Sequence, residues 1–160
     1  CDKSPFKLIF ILFDLPDVAD TAREYITSIG VDPDAIAIKT GDVFQEIPKG
    51  ANAIVMKHFI SAWSDEDALK ILANCKAALP QDGKLILLQS FVPDLDEPKT
   101  EADGIMPGIF AVQINVATPG GGWRTKKQFQ ELFAKSGFEL EQMIKTNNSL
   151  SGMEFKINQS

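Results

Sequence analysis

The stretch Gly50 to Pro80, GANAIVMKHFISAWSDEDALKILANCKAALP, decides the fold. Within it Ala51 to Met56 is an apolar run interrupted by Asn52, and Ala53-Ile54-Val55-Met56 is unbroken. Lys57 and His58 bring polarity to its carboxyl end. A short apolar run of this kind predicts a parallel strand covered on both faces. In open α/β sheets, ligands bind beyond the carboxyl ends of such strands, so Lys57 to Trp63 is the candidate site. Ser64 then predicts a helix cap, with Asp65, Glu66 and Asp67 in the electropositive first turn. Ala68, Leu69, Ile71, Leu72, Cys75, Ala78 and Leu79 recur at helical spacing, and Pro80 closes the run.

Toward the amino end, Phe6 to Phe13 (FKLIFILF) predicts a buried strand ending at Asp14-Leu15-Pro16. A helix is expected next, with Asp17 as its cap, an apolar stripe of Val18, Ala22, Tyr25, Ile26 and Ile29, and Gly30 as its stop. Val31 to Asp34 reads as a turn, Ala35 to Thr40 as a second strand ended by Gly41-Asp42, and Val43 to Lys49 as a loop.

Toward the carboxyl end, Asp82-Gly83 is a turn and Lys84 to Val92 (KLILLQSFV) a further strand. The acidic, proline-containing segment Pro93 to Pro107 reads as a mobile surface connection. Phe110 to Val116 fits helix and strand equally. Pro119 to Gly122 predicts a flexible loop, and Thr125 with Gln128 a capping box at the head of a helix. Phe129, Leu132 and Phe133 form the buried face of that helix and Gly137 its stop. Phe138 to Lys145 and Ser151 to Asn158 predict two strands joined as a hairpin through Asn147-Asn148. Strand and helix alternate up to residue 92, so an α/β fold with a mostly parallel, doubly wound sheet is expected, closed by an antiparallel edge.

The 160 residues fit one domain, able to bury about two-thirds of its unfolded surface. An apolar content of 44% and a charged content of 24% are those of an ordinary globular chain. The net charge of −6 argues against a nucleic-acid partner. No apolar run approaches the length needed to cross a bilayer, so no membrane partner is expected. Cys1 and Cys75 are too few for a disulfide framework, and Cys75 falls on an apolar helix face, a pattern suited to a reducing, cytoplasmic compartment. No cluster of metal ligands stands out. The opening residue is Cys and nothing before the first strand has the make-up of a signal peptide, so the start of translation is expected upstream.

Several segments together resemble a known family. They are Asp14-Leu15-Pro16, Gly41-Asp42-Val43-Phe44 with Ile47-Pro48, Met56-Lys57, Trp63 to Ala68, Gly83-Lys84-Leu85, Gly120-Gly121-Gly122 with Arg124-Thr125, and Gly137-Phe138. In that order and spacing they are similar to the catalytic domain of the S-adenosylmethionine-dependent O-methyltransferases of the caffeate, acetylserotonin and polyketide type. The resemblance implies a Rossmann-like class I methyltransferase sheet. It also implies S-adenosylmethionine as cofactor and a small hydroxylated aromatic molecule as acceptor. By the same resemblance Asp14 holds the ribose hydroxyls, Asp42 and Val43 hold the adenine, and Lys57 and Trp63 complete the cofactor side. Turn and cap residues, strand ends and core aromatics explain each of these positions without a ligand.

The departures fall on the chemistry. The family's His-Asp pair, whose histidine is the general base, corresponds here to Ser61 and Ala62. A serine hydroxyl without a partner is too weakly basic to replace it. The family's acidic partners of the base fall at Gln89 and Trp123, and residues lining the acceptor pocket near Ala111 and Ile114. His58, the only histidine, precedes Ser61 by one helical turn and is the one candidate replacement base. The family's first strand and glycine-rich loop precede the Asp-Leu-Pro strand and lie outside residues 1–160, as does its N-terminal dimerisation region. The strands at residues 6–14 and 51–57 are then expected to pair directly or to receive a segment between them, including one from a separate chain. A homodimer is expected only with the N-terminal region present. Residues 1–160 therefore read as a partial methyltransferase catalytic domain, with a catalytically degenerate binding or regulatory subunit as the alternative.

Overall fold

The computed structural model describes residues 8–91, 112, 116, 118, 120–146 and 150–158. They fall into two compact units, Cys1–Lys49 and Gly50–Ser160. Phe6 and Lys7, Pro93 to Pro107, most of the 110–116 segment with Ala111 and Ile114, and Asn147-Asn148 lie outside the described residues.

In the first unit, β1 (Phe10–Asp14) is followed by α1 (Pro16–Ser28), a 3-10 turn (Pro33–Ala35) and β2 (Ile36–Thr40). The two strands pair in parallel from Phe10 opposite Ile36 to Asp14 opposite Thr40, which the crossover helix makes possible. β1 begins later than the apolar run suggests, and Leu8 and Ile9 ahead of it are exposed. Nor is it deeply buried: its three middle residues are half-buried and its ends exposed.

Helix α1 is not capped by Asp17. Leu15 holds the cap position without a side-chain bond, Pro16 starts the helix and Asp17 sits in its first turn. Proline suits that position because its missing N–H is one that no helix satisfies. The expected stripe is only partly covered, with Ala22 half-buried. Ala19 and Ile26 are buried, whereas Val18, Tyr25 and Ile29 are exposed. Gly30 does end the helix, with φ +76° and its N–H donating to the Thr27 carbonyl.

The second unit contains β3 (Ala53–Lys57), a 3-10 turn (Ile60–Ala62), α2 (Asp65–Ala78), β4 (Lys84–Gln89), α3 (Lys126–Lys135), β5 (Phe138–Lys145) and β6 (Ser151–Ile157). Its sheet has the order β3-β4-β6-β5. β3 and β4 are parallel, and β6 runs antiparallel to both β4 and β5, with a bulge between Leu140 and Gln142. The mostly antiparallel character of this sheet comes from the closing hairpin, whose second strand inserts next to β4. Among the described residues β1 pairs with β2, and β3 with β4. Within this unit β3 is covered on one face only: Met56 is buried but Val55 is 58% exposed.

The core of this unit is aromatic. Phe129, Phe133, Phe138 and Phe155 join Leu85, Leu87, Met153, Ile71 and Leu72, all essentially inaccessible. The Phe133 and Phe155 rings stack at 4.1 Å between centroids. Each such side chain contributes roughly 1.5–3 kcal/mol by burial. Both helix caps form as the sequence predicts. The Ser64 hydroxyl accepts the Asp67 N–H, and Thr125 and Gln128 form a reciprocal capping box. Cys75 is fully buried in this core, and burial pushes its thiol up to about 12, so it packs as an inert hydrophobe.

Candidate functional site

The expected site residues divide between the two units. In the first, Asp14 and Asp42 stand at the same end of neighbouring parallel strands, because β1 and β2 finish in register. The Gly41 N–H donates to the Asp14 carbonyl at 3.0 Å, extending the ladder beyond β2. Asp14 is exposed, and one carboxylate oxygen accepts the Leu15 N–H at 2.8 Å. Its other oxygen and remaining lone pairs suit a diol. The Asp42 carboxylate accepts the Phe44 N–H at 2.9 Å, while its carbonyl accepts from Gln45 and Glu46. This Asx turn holds Asp42 and Val43 half-buried just past the strand end. A Cβ at Gly41 would lie 2.8 Å from the outer edge of the Phe13 ring, which would have to shift to admit it.

In the second unit, Lys57 is the exposed last residue of β3. His58 has a left-handed backbone, φ +50°, a conformation unusual for a residue with a Cβ. Its N–H donates to the Leu88 carbonyl at 3.1 Å, fixing the strand exit beside the end of β4. The imidazole packs against Trp123 with centroids 5.7 Å apart. Burial, reinforced by the Lys57 charge, holds its pKa below the ordinary histidine value. Its Nδ1 is buried with no hydrogen-bond partner among the described residues.

Ser61 sits inside the 3-10 turn, so it and His58 do not share one helical face as their spacing suggests. His58 itself is left-handed, and the 3-10 turn starts only at Ile60. Ser61 is fully buried and its carbonyl accepts the Gly122 N–H at 3.0 Å. Its hydroxyl has no partner among the described residues, and neither atom of the equally buried Gln89 amide has one. Trp63 is half-buried and meets Phe59 edge-on at 6.1 Å.

The glycine loop at residues 120–122 is tied down rather than flexible. Gly121 donates to Thr118 at 2.9 Å, and a Cβ on it would lie 2.8 Å from the Ala62 carbonyl oxygen. Arg124, which the sequence reading named only as part of a family motif and gave no role, completes the attachment. It is buried, donates to the Trp63 carbonyl at 2.9 Å and pairs with Asp65 at 2.7 Å. Its position two residues after the glycines, with an acidic helix start elsewhere in the chain, was the available signal.

Parallel strands joined by a crossover helix, with acidic and polar side chains at their carboxyl ends, define an α/β protein of the Rossmann-like class. The chain belongs to the O-methyltransferase domain family, whose model matches residues 5–139. It is 39% identical over 135 residues to a flavone 3'-O-methyltransferase of Chrysosplenium americanum, covering 81% of this chain and 34% of that protein. It is 33% identical over 144 residues to the phenazine O-methyltransferase PhzM of Lysobacter antibioticus, covering 90% of this chain and 40% of that one. The chain thus spans well under half the length of these relatives. Among solved structures it resembles LaPhzM, with a TM-score of 0.80 and 32% identity over 92% of this chain and 42% of that one. It also resembles the mitomycin 7-O-methyltransferase MmcR, with a TM-score of 0.78 and 28% identity over 92% of this chain and 41% of that one. No helix among the described residues is long and apolar enough to cross a membrane.

Proposed function

We propose that residues 1–160 are part of the catalytic domain of an S-adenosylmethionine-dependent O-methyltransferase acting on a small hydroxylated aromatic molecule. The observation that carries this reading is the placement of Asp14 and Asp42 at the common end of β1 and β2, linked by the Gly41 to Asp14 hydrogen bond. The exposed Asp14 carboxylate fits a ribose diol, and the Asp42-Val43 turn offers a polar and an apolar contact to a purine edge. Lys57 and Trp63 are proposed as cofactor contacts from the family resemblance alone. When bound, S-adenosylmethionine supplies an electrophilic methyl group to an acceptor oxygen.

This chain's own contribution to such a transfer is chiefly orientation, with one candidate left for proton abstraction. Ser61 stands where a basic residue is expected, and its buried hydroxyl is too weak a base to ionise a phenol. His58 is the remaining candidate. Its lowered pKa keeps the imidazole neutral near pH 7, as a base requires, and its Nδ1 is not engaged by any described residue. The same loss of an acid-base pair supports the second reading, a catalytically degenerate methyltransferase-like binding or regulatory subunit.

Calorimetric titration with S-adenosylmethionine tests the first half of this proposal. Binding that falls at least tenfold in Asp14→Asn supports it; absence of heat with the full-length protein removes it. Turnover on a panel of phenols separates enzyme from binding subunit, and unchanged rates in His58→Ala eliminate His58 as base. The cytoplasmic location, the homodimer and the strand supplied by a separate chain belong to the same proposal. Size-exclusion chromatography with light scattering tests the last two.

A further inference from the structure

The first unit presents several exposed apolar side chains on β1 and α1, but nothing in the structure says what covers them. The cross-strand charges around Lys84 are ion pairs of an exposed sheet face. Cys75 is inert. The ring contact between His58 and Trp123 is more informative, because the backbone fixes the attachment points of both side chains.

His58 is rooted in a left-handed backbone, φ +50°, and its N–H is tied to the Leu88 carbonyl. A residue with a Cβ held in that region stores strain, and such strain gathers where a side chain has to be aimed. Trp123 is rooted from both sides. The Gly122 N–H donates to the Ser61 carbonyl at 3.0 Å, and the Arg124 guanidinium donates to the Trp63 carbonyl at 2.9 Å. The neighbours of Trp123 are thus bound to the segment that leaves His58. The two rings meet with centroids 5.7 Å apart and planes inclined by 40°. An imidazolium at that distance is within reach of a cation–π attraction, and indole is the strongest aromatic partner for one. Of the charged groups on the elements that meet here, Lys57 on β3 opposes a further positive charge, while Arg124 and Asp65 pair with each other. The end of β4 contributes the uncharged Leu88 and Gln89.

We propose that Trp123 is the positioning residue of His58: its indole sets the plane of the imidazole and favours the protonated form of that ring. A carboxylate beside a histidine does both by hydrogen bond and charge. The indole does them by contact and by the negative potential of its face. Nδ1 of His58 meanwhile stays without a hydrogen-bond partner among the described residues. The attraction opposes the burial and the Lys57 charge that hold the His58 pKa down. With His58 as base, the proton leaves the acceptor hydroxyl for the imidazole, and the imidazolium so formed lies against the indole. Trp123 itself moves no proton. The use of the contact in catalysis rests on the reading of His58 as base; the effect of Trp123 on the imidazole does not.

An NMR titration of the His58 Cε1–H resonance in the full-length protein, assigned by its loss in His58→Asn, tests the proposal. Trp123→Leu keeps apolar bulk beside the ring and removes the π face, so the His58 pKa should fall by about half a unit. Trp123→Phe keeps a weaker face and should lower it less; it carries the test should Trp123→Leu fail to fold. A tryptophan that only buries His58 predicts the opposite sign, because a smaller side chain admits water and lets the pKa climb. An unchanged or raised pKa in the variants that fold overturns the proposal. On a panel of phenols, the acid limb of the kcat profile should move to lower pH in step with the NMR value. Unchanged turnover in His58→Ala would instead remove His58 as base, and the direction of the pKa change would still decide the role of Trp123.

Discussion

Arg124 Nη2 lies 2.7 Å from Oδ1 of Asp65, and Nε of the same guanidinium lies 3.0 Å from that oxygen. The contact joins residues 59 positions apart, tying the segment before α3 to the first turn of α2. Arg124 also donates to the carbonyls of Trp63 and Gly122 and lies 5.9 Å over the Phe129 ring. One side chain thus fixes the turn that holds Ser61 and Trp63 against the loop that holds Trp123.

The two partners should not be equivalent on mutation. Arg124 is 8% exposed, and Arg124→Ala leaves two backbone carbonyls short of a donor, a loss expected to be about 2–4 kcal/mol. The Asp65 side chain is 67% exposed, so Asp65→Ala should lose no more than about 1 kcal/mol. Arg124→Lys cannot reproduce the forked geometry and should fall between them. Urea denaturation of the three variants checks the order.

Gly121→Ala should be destabilising although its backbone is not left-handed. The added methyl would sit 2.8 Å from the Ala62 carbonyl oxygen, and backbone cannot step aside as a side-chain tip can. A loss of about 1–3 kcal/mol is expected. Thermal unfolding measures it, and a wild-type melting temperature would refute the close approach.

His58 should make stability sensitive to mild acid. Burial and Lys57 lower its folded pKa, so on acidification the unfolded chain takes up the proton first. Stability is then unaffected above the ordinary value of about 6.5 and falls as pH drops from there toward the folded value. His58→Asn, which tolerates the left-handed backbone, should flatten this limb relative to wild type. Unfolding curves between about pH 7.5 and 5 decide the matter.

Ser64→Ala should cost about 1 kcal/mol, because the hydroxyl accepts the Asp67 N–H at 3.1 Å and also contacts the Asp67 carboxylate. Glycine at this position should recover most of the loss, as it does at caps generally. Denaturation midpoints of the two variants test this.

The elements of the second unit were legible because their signals are local. Ser64 and Thr125 cap the helices that the apolar spacing predicts, and Gly137 ends α3 with φ +80°. On α1 the sequence located Ala22 and Ile26 but not the limits of burial, since the exposed Val18, Tyr25 and Ile29 are as apolar as the buried Ile26. The polar face of α1, with Asp17, Asp20, Arg23 and Glu24, is plain in the sequence; how much of the apolar face is covered is not, because that depends on what packs against it. Among candidate site residues, the strand-end carboxylates could be found by spacing and resemblance. Gln89 was noticed as a departure, but its unpartnered burial depends on neighbours far along the chain.

What the sequence determined by itself is the order of strands, turns and caps, and the family to which the motifs are similar. Those properties depend on residues within a few positions of one another, where propensity and side-chain chemistry act directly. Only the tertiary structure decided that β6 lies between β4 and β5, that Arg124 reaches Asp65, and that Ser61 and Gln89 are buried without partners among the described residues. Those depend on which distant segments pack together, and burial, the quantity that makes a polar atom consequential, exists only once they have done so.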